Sequence, residues 1–350
     1  MRPLLFLCWL LPACIEPSAT PHELPWSAHA ITAAGRNTLI LTDRDDVIEA
    51  GTVKADGDSI LLPSDPSNYM EAELELPAAT AIAVGSQHAC VISSMQVTCW
   101  GEDNHGALGA HRACPDQSSC VLGPGIMPTL PPIRAIAAGD DVTCATTMDD
   151  EVMCWGNADG GRLGGSIVSA LDPPVPVMLS PGKPLHVARV VIRDATVCAI
   201  DRSQQGWCWG GVYGAKPTHL DLTGVVDLSI NGDHGCAIAN TGLVCWGNNV
   251  NGQVDPAQAA ACPRGCTVAP MPVALAATRV VVGARHTCAL DGAGNVWCWG
   301  DNEDGQLARK DAFLTGDRGL AFTNATDLVA GANHTCALRR DHSAWCWGRN

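Results

Sequence analysis

Twelve of the 18 cysteines form six pairs with members nine or ten residues apart: Cys90/Cys99, Cys144/Cys154, Cys198/Cys208, Cys236/Cys245, Cys288/Cys298 and Cys336/Cys346. Thiols in such numbers bind metal or close disulfides. Zinc needs four convergent ligands, usually from tighter Cys-x-x-Cys-like pairs, and this spacing does not offer them. A hairpin fits better, because turn sequence separates the members of each pair, as in Asp291-Gly-Ala-Gly-Asn295 and Asn240-Thr-Gly242. Folding Cys288 against Cys298 sets Ala289 opposite Trp297 and Leu290 opposite Val296 and leaves a three-residue loop. Folding Cys236 against Cys245 leaves a two-residue loop, and both lengths are common hairpin connections. Facing residues of an antiparallel pair approach to about 4.5 Å between Cα atoms, within the range a disulfide accepts. The six pairs are therefore predicted to staple adjacent strands, each worth about 2–3 kcal/mol in the loop-entropy model.

Two further pairs, Cys114/Cys120 and Cys262/Cys266, lie between these units, and each begins Ala-Cys-Pro. The second has a zinc-like spacing. The pairs belong to well-separated units, however, so two local loop disulfides are expected, with no metal and no other cofactor. Cys8 and Cys14 complete the count.

Cys8 sits in an apolar run, Leu4 to Leu11, that follows Met1-Arg2-Pro3. The run falls short of the roughly 20 residues a membrane-spanning helix needs, and reads as the core of a signal peptide. Leu11-Pro12-Ala13-Cys14 resembles a bacterial lipobox, which implies cleavage after residue 13 and a diacylglyceryl group on the Cys14 thiol. Residues 14–25 hold three prolines and read as a lipid-anchored tether. The expected location is the bacterial cell envelope, on the periplasmic or outer surface. Ile15 stands where an aspartate would signal inner-membrane retention, which favours the outer membrane.

The elements that position the cysteines repeat. Six segments align: Gly85-SQHACVISSMQVTCWG, Gly139-DDVTCATTMDDEVMCWG, Arg193-DATVCAIDRSQQGWCWG, Asn231-GDHGCAIANTGLVCWG, Gly283-ARHTCALDGAGNVWCWG and Gly331-ANHTCALRRDHSAWCWG. A seventh, Gly35-RNTLILTDRDDVIEAG, lacks cysteines, and Ile40 and Glu49 are expected in their places. Four units continue with Gly-x4-Gly, the fullest copy reading Cys298-Trp-Gly-Asp-Asn-Glu-Asp-Gly-Gln-Leu307. The period of about 46 residues suits one propeller blade per repeat. The pattern resembles the regulator of chromosome condensation repeat, in its exported bacterial form. That resemblance implies an all-β, seven-bladed propeller of antiparallel blades over residues 26–350, here with intra-blade disulfides. The fourth unit departs most, with Arg193 in place of glycine and Gly210-Gly-Val-Tyr-Gly without the Gln-Leu ending.

Nine of the 11 Trp flank the second cysteines: Trp100, Trp155, Trp209, Trp246, Trp299 and Trp347 after them, and Trp207, Trp297 and Trp345 before. They could form a sugar-stacking platform, but recurrence in every unit favours packing between blades. His88, His234, His286 and His334 each precede a first cysteine by two residues. A metal ring around the axis is conceivable, but Val142 and Thr196 interrupt it, and a recurring hydrogen bond within each blade is the expectation. Asp301-Asn-Glu-Asp304 and Glu102-Asp-Asn104 lack the full ligand set of a calcium loop and read as turns.

No catalytic constellation stands out, and a formal charge of −15 disfavours nucleic acid as a partner. The sequence reads as a non-enzymatic binding scaffold for an unidentified protein or glycan. The connectors 102–134 and 248–279, which carry the extra cysteine pairs, are the expected binding surface. A polysaccharide-acting enzyme with acids at the central opening, or a structural envelope component, is the alternative.

Overall fold

The computed structural model describes residues 27–50, 78–103, 105–109, 121–127, 130–165, 174–232, 234–257, 267–309 and 318–349. The signal, Cys14, the tether and the pairs Cys114/Cys120 and Cys262/Cys266 lie outside the described residues.

Seven antiparallel sheets follow one another along the chain. Blade 1 holds β1 (Ala28–Ala34), β2 (Asn37–Thr42) and β3 (Val47–Ala50). Blade 2 holds β4 (Ala81–Val84), β5 (His88–Ser93), β6 (Gln96–Glu102) and β7 (Val121–Ile126). In blade 3, β8 (Ile133–Ala138), β9 (Val142–Thr147), β10 (Val152–Gly156) and β11 (Val175–Pro176) are followed by a small hairpin, β12 (Met178–Ser180) and β13 (Lys183–Pro184). Blade 4 comprises β14 (Val187–Arg193), β15 (Thr196–Asp201), β16 (Gln205–Gly210) and β17 (Thr218–Thr223). Blade 5 comprises β18 (Asp227–Asn231), β19 (His234–Ala239), β20 (Gly242–Asn248) and β21 (Thr267–Val273). Blade 6 has β22 (Ala277–Val282), β23 (His286–Asp291), β24 (Val296–Gly300) and β25 (Gly319–Phe322), and blade 7 has β26 (Ala325–Ala330), β27 (His334–Arg339) and β28 (Ala344–Gly348).

The first strands of successive blades pack side by side, and β1 in turn meets β26, so the ring closes around an axis lined by first strands. Because each blade is a simple meander, first-to-second turns and third-to-fourth connections lie at one end of the barrel-like ring. Second-to-third hairpins and blade-to-blade connections lie at the other end, called here the hairpin face.

The hairpin registers agree with the sequence reading. Cys288 pairs with Cys298, Ala289 with Trp297 and Leu290 with Val296, and Ala239 pairs with Gly242 to leave two loop residues. All six predicted pairs are bonded, with Cα atoms 4.0–4.1 Å apart. Strand alternation sends the sulfurs to one side of the blade and the following Trp to the other. The interfaces between disulfide-bearing blades therefore join a disulfide to the next blade's Trp, as in Cys90 and Cys99 with Trp155, Cys144 and Cys154 with Trp209 and Cys236 and Cys245 with Trp299. Trp100, Trp155, Trp209 and Trp299 are fully buried, as packing requires and a sugar platform would not allow.

Blade 1 corrects the sequence alignment by one residue. Leu39, not Ile40, pairs with Glu49, and Ile40 pairs with Ile48. The Gly35-Arg36 turn joins Ala34 to Asn37 directly, so Asn37 falls in the histidine slot. Its Nδ2 donates to Gly85 O at 3.0 Å and Ser86 O at 2.8 Å in blade 2.

Candidate functional site

The histidines are spent on blade cohesion, and not within their own blades as the sequence suggested. Each reaches into the next blade: His88 Nε2 lies 2.7 Å from Thr143 Oγ1, His234 Nε2 3.2 Å from Thr287 Oγ1, His286 Nε2 2.8 Å from Thr335 Oγ1 and His334 Nε2 3.0 Å from Thr38 Oγ1. A residue's own amide and carbonyl are already committed to its blade's ladder, which leaves the imidazole to bridge the seam. Thr143, Thr287 and Thr335 donate their one hydroxyl proton to Ala107 O, Gln253 O and Gln306 O of the preceding blade. They must then accept from Nε2–H, so Nε2 carries a hydrogen on His88, His234 and His286. Burial pushes His88, His234 and His334 down to about 4, and burial with neighbouring His234, His334 and Arg193 takes His286 to about 3.

The same carbonyls accept from the tryptophans. Trp155 Nε1 donates to Ala107 O at 2.8 Å, and Trp299 and Trp347 donate to Gln253 O and Gln306 O at 2.9 Å. The acidic turns explain how those carbonyls are aimed. Asn302 Oδ1 accepts Leu307 N, Asp301 Oδ1 accepts Glu303 N and Gln306 Oε1 accepts Asp304 N. These side chains knit the turn and present its carbonyl, which is the turn role the sequence favoured over calcium. The glycine of each Gly-x-x-His stretch is required for space: a Cβ on Gly283 would fall 2.0 Å from His286 Cε1.

Arg193, in the fourth unit's glycine slot, spans the axis. Its Nη2 donates to Ala330 O at 2.5 Å and to Ala33 O at 3.2 Å, on the first strands of blades 7 and 1. Beside it, Asp140 accepts from Ser86 Oγ, and Asp194 Oδ2 accepts from Gly232 N at 3.0 Å. Burial and nearby Asp140 raise the Asp194 carboxyl. This is the nearest approach to the acid pair the enzyme alternative asks for, and both members are bonded to neighbouring blades. Among the described residues no group of three His, Cys, Asp or Glu could hold a metal ion.

At the hairpin-face mouth of the axis, the equivalent first-strand slots of blades 4 to 7 carry Arg189, Asp227, Arg279 and Asp327. Each touches the next: Arg189 meets Asp227, Arg279 Nη1 lies 3.5 Å from Asp227 Oδ1, and Arg279 Nε lies 2.9 Å from Asp327 Oδ1. Blades 1 to 3 place Ala30, Ala81 and Ala135 there, so the mouth is charged on one side and apolar on the other.

The same face carries what the sequence did not single out. Met95 and Met148, at the hairpin tips of blades 2 and 3, and Val226, entering blade 5, are 53%, 55% and 58% exposed. A cleft of about 550 Å³ opens beside Val226, between blades 3, 4 and 5, with Arg134, Arg189 and Arg202 in its walls. The expected binding connectors 102–134 and 248–279 have their cysteine-bearing parts outside the described residues. Only an alignment of exposed apolar residues onto turn positions could have pointed to Met95 and Met148.

Known proteins resemble this chain along its length. The family model "Regulator of chromosome condensation (RCC1) repeat" matches residues 277–306 and 325–350. The mouse E3 ubiquitin-protein ligase HERC2 is 27% identical over 282 residues, 74% of this chain but 6% of that protein. The Arabidopsis ultraviolet-B receptor UVR8 is 25% identical over 66% of this chain and 55% of its own length. Among solved structures, human WBSCR16 superposes with a TM-score of 0.67 at 19% identity, covering 79% of each chain. Prp20p of Saccharomyces cerevisiae gives 0.65 at 16% identity, covering 89% of this chain and 83% of its own. These likenesses establish the propeller fold, and the repeats are of a type used for protein binding and regulation.

Proposed function

We propose that this seven-bladed propeller, whose last two blades match the regulator of chromosome condensation repeat, is a non-enzymatic scaffold of a bacterial cell envelope that binds a protein through its hairpin face. The carrying observation is that exposed apolar side chains, Met95, Met148 and Val226, share the hairpin face, with Val226 lining the cleft. Large exposed apolar side chains grouped on one face mark interaction surfaces. A protein fits this face better than a glycan, because Trp100, Trp155, Trp209 and Trp299 are fully buried and Trp345 is the one indole among the described residues that is exposed, at 36%. Six buried disulfides suit an oxidising space outside the cytosol, in keeping with the lipobox-like Cys14 as the anchor. This chain spans 6% of HERC2 and 55% of UVR8, and the activities named for those proteins are not carried over to it.

The test is capture from envelope extract after chemical crosslinking. A triple variant, Met95→Asp, Met148→Asp and Val226→Asp, is compared with Val212→Asp, which alters a residue 82% exposed at the opposite end of blade 4. The triple variant is expected to lose a discrete protein adduct that Val212→Asp retains. Full retention by a correctly folded triple variant would reject the reading.

A further inference from the structure

We propose that the cleft between blades 3, 4 and 5 is a carboxylate site. It takes an acidic side chain from an extended segment of a partner protein, with a neighbouring aliphatic side chain on the apolar floor. The proposal rests on the hairpin face being the protein-binding face, and names what that face reads.

Three arginines and one carboxylate, Asp201, line the cleft, and Asp150 and Asp227 behind them balance the charge, so what it offers is guanidinium N–H donors and not a net positive field. Asp201 is turned to its own hairpin: Oδ1 accepts from Ser203 N at 2.7 Å and Gln205 N at 2.9 Å, and Oδ2 from Trp207 Nε1 at 2.9 Å. Behind the walls, Asp150 and Asp227 are nearly buried, and they fix the arginines while leaving guanidinium edges over.

The arginines divide the work. Arg134 is fully committed, with Nε 2.8 Å from Asp150 Oδ1 and Nη2 donating to Val187 O at 2.6 Å. Arg202 meets Asp150 through Nη2, and its side chain is 69% exposed. Arg189 meets Asp227 through Nη1 and is 34% exposed. Each of the last two therefore holds one edge against a buried aspartate and offers further N–H groups to the cleft. Two guanidinium groups held this way suit a carboxylate, which accepts paired N–H donors.

The rest of the cleft supports an extended peptide. Ile200 and Val225, 5% and 0% exposed, form the floor, and Val226 forms the rim. The volume of about 550 Å³ has room for two side chains. Arg202 sits on the hairpin that Cys198–Cys208 closes, so little ordering is required on binding.

The probe is a fluorescein-labelled peptide, Gly-Leu-Glu-Leu-Gly, titrated with the oxidised protein and followed by anisotropy. Its Gln counterpart, Arg202→Glu, and Arg285→Glu on the opposite end of the ring serve as comparisons. The Glu peptide is expected to bind at least tenfold more tightly than the Gln peptide. Arg202→Glu is expected to remove that preference, and Arg285→Glu to keep it. Equal binding of the two peptides, or an unchanged preference in Arg202→Glu, overturns the proposal. If it falls while the triple aspartate variant still loses its crosslinked adduct, the face binds protein by another chemistry. If the triple variant keeps its adduct, the binding-face reading falls first.

Discussion

His334 of the last blade and Thr38 of the first meet across the seam of the ring, Nε2 to Oγ1 at 3.0 Å. Thr38 Oγ1 also lies 3.9 Å from Cys336 Sγ, so the ring closes on the same elements that join its other blades. Around that seam Ala28, Ile31 and Ala33 pack on Val329, Cys336 and Leu338. No strand is shared between first and last blades among the described residues. Closure there rests on these side chains and on two backbone bonds, Ala28 N to His342 O at 2.9 Å and Ala332 N to Gly35 O at 2.8 Å.

Removing the hydroxyl at the seam tests this. Thr38→Val keeps the shape and leaves the His334 imidazole buried without its partner. A buried polar group so orphaned costs about 1–3 kcal/mol. Urea denaturation of the oxidised protein is expected to show that loss. An unchanged midpoint would mean that the seam does not depend on the bond.

Acid should loosen every histidine seam together. Burial holds these imidazoles at about 3 to 4 in the folded chain, against 6.5 when exposed. As pH falls below 6.5 the unfolded chain takes up protons that the folded chain refuses, so stability is full above 6.5 and declines toward pH 4. Thermal melts across that range are expected to show a falling Tm. The fall should be shallower in His88→Gln, which removes one of the groups.

Glu49 should act with the opposite sign. It fills the slot of a second cysteine, and Trp100 Nε1 lies 3.4 Å from its Oε2. Burial raises its carboxyl from 4.5 to about 7, with the Trp100 bond pulling the other way. Here the folded chain holds a proton that the unfolded chain releases, so stability is present below 4.5 and is lost as pH rises through about 7. Glu49→Gln is expected to stabilise the protein at pH 8 by roughly 2–3 kcal/mol and to change little at pH 4. Equal effects at both pH values would contradict the assignment.

The hairpins could be read from the sequence because each carries two cysteines at fixed spacing with a turn between them, as Cys288 and Cys298 show. One such pair sets the register, the burial of the sulfurs and the direction of the next Trp. Blade 1 has no such marker, and its alignment slipped from Leu39 to Ile40. The histidine bonds were misplaced for a related reason: spacing relates His286 to Cys288 in its own blade but says nothing of Thr335, 49 residues away. Arg193 reaching across the axis depends on ring closure, which no local pattern encodes. The cleft is the least legible feature. Arg134, Arg202 and Val226 share no motif slot and meet only because three blades stand side by side.

The account depends most on the oxidised state of the stapled hairpins, since it fixes the fold, the compartment and the rigidity of the binding face. The direct measurement is mass analysis of the protein from its native cells, alkylated before digestion. Six linked peptides are expected, joining Cys90 to Cys99, Cys144 to Cys154, Cys198 to Cys208, Cys236 to Cys245, Cys288 to Cys298 and Cys336 to Cys346. Local links are expected at Cys114–Cys120 and Cys262–Cys266, with lipid on an N-terminal Cys14. Alkylated free thiols at the six hairpin pairs would contradict it.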